Sequence, residues 1–64
     1  MLMFFRSYTS TKGQGIIFET DTKEYKWTCA CIFGGRVIPA LYMPTNKDLK
    51  ELEKKLIKEG YTEL

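Results

Sequence analysis

Only one stretch of this 64-residue chain, from Thr45 to Gly60, has the period of an amphipathic helix; every other apolar run reads as strand. That imbalance constrains the fold most, because one helix has to shield a whole sheet. Leu49, Leu52 and Leu56 recur at the spacing that places side chains on one helical face. Thr45 is positioned to N-cap the helix. Asp48, three residues on, would complete an acidic capping box near the positive end of the helix dipole. Gly60 suits the residue after the C-cap, and Tyr61 falls where a Schellman motif would pack it back on Leu56.

Four strand-like runs precede the helix: Leu2 to Thr9, Ile16 to Thr20, Tyr25 to Phe33 and Arg36 to Met43. They are separated by the turn-rich Ser10-Thr11-Lys12-Gly13-Gln14-Gly15, by Asp21 to Glu24 and by Gly34-Gly35. Two glycines between apolar runs predict a two-residue hairpin, since a type I′ turn needs positive φ at both central positions. The reading is therefore one α+β domain, a four-stranded antiparallel meander (ββββα) with a C-terminal helix packed on one face. Strands are expected over about 2–9, 15–20, 25–33 and 36–43, and the helix over about 46–59.

The glycine turn sets a register in which Ile32 faces Val37, Cys31 faces Ile38, Ala30 faces Pro39 and Trp27 faces Tyr42. A tight turn at Thr22-Lys23, or a four-residue loop with the same register, would place Phe18 opposite Trp27 and Glu19 opposite Lys26. One sheet face then carries Ile16, Phe18, Tyr25, Trp27, Cys29, Cys31, Phe33, Ile38, Ala40 and Tyr42, and is expected to take the helix. The other carries Ile17, Glu19, Lys26, Thr28 and Ala30, and then a run of apolar residues, Ile32, Val37, Pro39, Leu41 and Met43. A contiguous exposed patch of this kind marks an interaction site, so these five form the expected partner or dimer interface. The other way to cover them is for the first strand or its loop to curl over. Pro39 suits an edge strand, which would leave Leu2 to Tyr8 as the opposite edge, apolar and open to pairing with another chain.

Chemistry is harder to place. The chain has no histidine, so the usual general base for a serine or cysteine nucleophile is missing. Cys29 and Cys31 lack the spacing and further ligands of a zinc site and are expected to be small, reduced core residues. No cofactor or metal is expected. The apolar start is too short for a signal peptide, and no stretch nears the roughly 20 apolar residues of a membrane span. A soluble, cytoplasmic protein is expected.

Two functions fit. The first is a small non-catalytic binding protein, a homodimeric regulator or inhibitor acting through protein–protein contacts. Free-standing chains this short are often accessory proteins of viruses or mobile elements, an inference from length alone. The second is binding of single-stranded nucleic acid or nucleotides. Tyr25, Trp27 and Tyr42 would form a stacking platform with Arg36, and Lys47, Lys50, Lys54 and Lys58 a basic stripe on the helix. That alternative needs the helix on the opposite face. A net charge of +2 does not favour it by itself.

Overall fold

The computed structural model describes residues 1–10 and 13–64. Thr11 and Lys12, part of the turn expected before the second strand, lie outside the described residues. The elements are β1 (Leu2–Ser7), β2 (Gly15–Glu19), β3 (Glu24–Thr28), β4 (Ile32–Phe33), β5 (Arg36–Val37), β6 (Ala40–Met43), α1 (Asn46–Lys58) and β7 (Thr62–Glu63). The fold is α+β, with one helix near the C-terminus. The sheet is five-stranded and mixed, in the order β6-β1-β2-β3-β7, while β4 and β5 form a separate two-stranded ribbon.

The expected meander is thus corrected. β1, β2 and β3 are antiparallel neighbours. β6, however, pairs parallel to β1, and β7 pairs parallel to β3. The glycine hairpin forms as read, with Ile32 opposite Val37 and positive φ at both Gly34 and Gly35. Its ladder reaches Ile38, whose N–H donates to the Cys31 carbonyl at 2.8 Å, and stops there. The next pair, Ala30 and Pro39, is a non-hydrogen-bonded one that asks no N–H of the proline. The hydrogen-bonded pair after it would join Cys29 to Ala40, but Ala40 lies beside Phe4 in β6, and the Ala30 N–H turns back to the Thr28 hydroxyl at 3.1 Å. The run over 25–33 therefore breaks at Cys29-Ala30, and that over 36–43 breaks at Pro39.

Past that break the chain crosses beneath the sheet, from β3 to the far side of β1. β1 is interior rather than an edge, and β6 takes the edge position beside Pro39. The β2–β3 register also differs from expectation. Phe18 lies opposite Tyr25 and Glu19 opposite Glu24, because the four-residue loop spans 20–23, one residue earlier than Asp21 to Glu24, and ends at Lys23 with φ +55°. The slip is two residues, so no side chain changes face.

Two cores result. On one face Ile16, Phe18 and Tyr25 bury against Leu49 and Leu56 of the helix, with Met3, Phe5, Trp27, Met43, Leu52 and Tyr61 around them. On the other, Phe4 and Ile17 bury against Ile38, flanked by Leu2, Cys31, Phe33 and Ala40. The face expected to lie open is therefore covered, by the β4–β5 ribbon rather than by the N-terminal strand. Helix, sheet and ribbon make three layers. The Lys26 ammonium sits 5.8 Å from the Phe33 ring centre and ties ribbon to sheet.

The helix ends follow the sequence. The Asp48 carboxylate accepts from the Thr45 N–H and hydroxyl, both at 3.0 Å. At the other end Tyr61 N–H reaches the Leu56 carbonyl and Gly60 N–H the Ile57 carbonyl, the Schellman pair, with Gly60 at φ +92°. Among the described residues no helix is long and apolar enough to cross a membrane.

Candidate interaction surface

The expected interface residues do not form one patch. Ile32 and Val37 are neighbours on the outer side of the ribbon and lie exposed, Val37 by 75%. Pro39 and Leu41 are exposed at the mouth of a groove of about 210 Å³, lined also by Met1, Leu2, Met3, Phe4 and Ile38. That volume falls short of the ~300–1,000 Å³ usual for small-molecule sites. Met43 lies on the helix side, half-buried against the first core. The two-residue period does not carry across the break at Pro39, so Met43 and Ile32 part company.

The β6 register completes the picture. Leu41 pairs with Phe5 and Met43 with Ser7, which puts both on the helix side; Ala40 and Tyr42 lie on the ribbon side. Leu41 and Tyr42 are 43% and 49% exposed, so both sides of this edge present large apolar surface. The Tyr42 ring stacks on Tyr8 at 4.9 Å. Proline flanks the strand at both ends, and no charged side chain occurs from Val37 to Asn46.

The residues of the nucleic-acid alternative are not brought together either. Tyr25 is buried under the helix, and its hydroxyl donates to Glu53 at 3.0 Å. Trp27 Nε1–H donates to the same Glu53 oxygen at 2.7 Å. Burial first, and the Glu53 carboxylate second, push the Tyr25 phenol up to about 12. Tyr42 is exposed on the opposite face, and Arg36 sits at the ribbon turn. Lys47, Lys50, Lys54 and Lys58 are all exposed on the helix.

Two residues escaped the sequence reading. Glu53 resembles any helix-surface carboxylate until Tyr25 and Trp27 are seen below it; its position one residue beyond Leu52 was the available signal. Ser7 is the one buried polar residue among those described. It hydrogen-bonds Asn46, while Thr9 Oγ accepts the Asn46 N–H at 3.1 Å, fastening the end of β1 to the helix start. The cysteines also differ from expectation: Cys29 is exposed and Cys31 half-buried, because both lie in the connection leaving β3. Among the described residues no three His, Cys, Asp or Glu side chains gather as a metal site would require.

Comparison with protein-family models, with curated proteins and with solved structures returns no match. Function is therefore argued from the chain's own residues.

Proposed function

We propose that this chain is a small non-catalytic binding protein, a self-associating regulator or inhibitor that works through protein–protein contacts. One observation supports this above the others. Of the large apolar residues left exposed, Ile32 and Val37 share the ribbon's outer side and Leu41 and Tyr42 an uncharged edge strand, while Ile57 on the helix and Met1 and Leu64 near the chain ends stand apart. An exposed strand edge is a template for another chain, and proteins that do not use one commonly protect it with charge. Here β6 carries none.

Affinity capture from the native host, with and without nuclease, tests this reading. A partner that survives nuclease and is lost with the double variant Ile32→Asp/Val37→Asp supports it, provided circular dichroism shows the variant folded. Identical capture by both proteins, or loss of all capture on nuclease treatment, contradicts it. The nucleic-acid reading keeps the exposed lysine stripe on the helix and, on the opposite side of the sheet, the Tyr8–Tyr42 stack beside Arg6, since Tyr25 and Trp27 are committed to Glu53 beneath the helix.

A further inference from the structure

We propose that a second copy of this chain pairs with β6, antiparallel about a two-fold axis, joining the two sheets into one. This rests on the reading of the chain as a self-associating binding protein, and names the surface and register it would use.

The backbone sets the geometry. The Met43 carbonyl accepts from the Tyr8 N–H at 3.1 Å. Backbone groups alternate sides along a strand, so Leu41 and Met43 point towards β1, and Ala40 and Tyr42 direct their N–H and C=O outward. Among the described residues no strand lies beyond β6.

This outward set is self-complementary. With Ala40 opposite the partner's Tyr42, and Tyr42 opposite the partner's Ala40, every outward N–H finds an outward C=O. A one-residue slip would bring inward-pointing groups to the seam. A two-residue slip one way meets Ile38, whose N–H already serves Cys31. The same slip the other way meets Pro44, which has no N–H. A single register therefore satisfies all of the outward groups.

Side chains fit that register. Leu41 lies against the partner's Leu41 on the helix side. Tyr42 lies beside the small Ala40 of the partner on the other, leaving its ring room to keep Tyr8. Met43 lies opposite the partner's Pro39. None of these pairs is charged. A copy meets no repulsion at this seam, whereas a charged foreign strand would find no counter-charge. The symmetry is isologous, so the contact closes at two chains.

Leu41 meets its own symmetry mate in a non-hydrogen-bonded pair, where Cα atoms lie about 4.5 Å apart, within disulfide range. In a Cys29→Ser/Cys31→Ser background, Leu41→Cys should form a disulfide-linked dimer under mild oxidation, well ahead of Val37→Cys on the exposed ribbon. In the unsubstituted chain the Ala40 and Tyr42 amides should exchange with solvent roughly tenfold or more slowly as dimer forms with rising concentration. Leu41→Cys linking no faster than Val37→Cys would overturn the proposal. So would Ala40 and Tyr42 amides unprotected at concentrations where the protein sediments as a dimer; the chain would then associate by another surface, and the functional reading would stand. A strict monomer overturns the pairing and the self-association it rests on, while nuclease-resistant capture of a partner judges the binding role separately.

Discussion

A Cβ built on Gly15 would lie 2.2 Å from the Phe5 carbonyl oxygen, so β1 and β2 can meet here only because there is no side chain. Gly15→Ala has to push the two strands apart, and we expect a loss of about 1–3 kcal/mol in urea unfolding. Glu53 is the other residue on which the interior depends. It accepts both the Tyr25 hydroxyl and the Trp27 N–H. Glu53→Leu leaves two donors without a partner and should cost about 1–3 kcal/mol, and Glu53→Gln, which keeps an acceptor oxygen, clearly less. Tyr25 gives a pH signature. Its phenol titrates near 10 when the chain is unfolded and at about 12 in the fold. Above pH 10 the unfolded chain sheds a proton that the folded chain keeps, so Tyr25's share of stability is full below pH 10 and is lost as pH rises through 12. Absorbance at 295 nm should show one of the four tyrosines titrating late. Tyr25→Phe should remove the corresponding part of the alkaline decline in the urea midpoint.

At the scale of elements, signals confined to a few adjacent residues were legible and long-range pairing was not. The helix could be read with both its ends because capping and the Schellman turn are settled by Thr45, Asp48, Gly60 and Tyr61 alone. Gly60 is needed for its backbone, not for space: its φ is +92° and nothing lies near a Cβ placed there. Gly60→Ala should therefore cost about 1 kcal/mol through conformation alone, and chemical denaturation of the variant checks this. The glycine hairpin was legible for the same reason. Where it ended was not, because Ala40 leaves the hairpin to pair with Phe4 of β1, and a pattern of alternating residues does not reveal such a long-range choice. Faces assigned on the near side of that break, at Ile16, Phe18, Tyr25 and Trp27, hold in the structure. Those carried across it, at Ala40, Tyr42 and Met43, are reversed.

For the whole molecule, the sequence shows more apolar strand than one helix can cover, and the structure resolves that excess by adding a layer. The ribbon folds under the sheet and shields Phe4 and Ile17. Apart from Ile57 on the helix and the residues at the chain ends, the large apolar residues left outside lie on the ribbon's outer side and at β6, so the surface that a partner could use is an edge rather than a face. Self-association through that edge is most directly tested by sedimentation of the unsubstituted chain and of Leu41→Lys across the micromolar range. The unsubstituted chain should pass from its 7.5 kDa monomer mass to twice that mass as concentration rises, while Leu41→Lys stays monomeric with an unchanged circular dichroism spectrum. A native chain that stays at 7.5 kDa throughout, or a Leu41→Lys variant that dimerises equally well, would contradict the account.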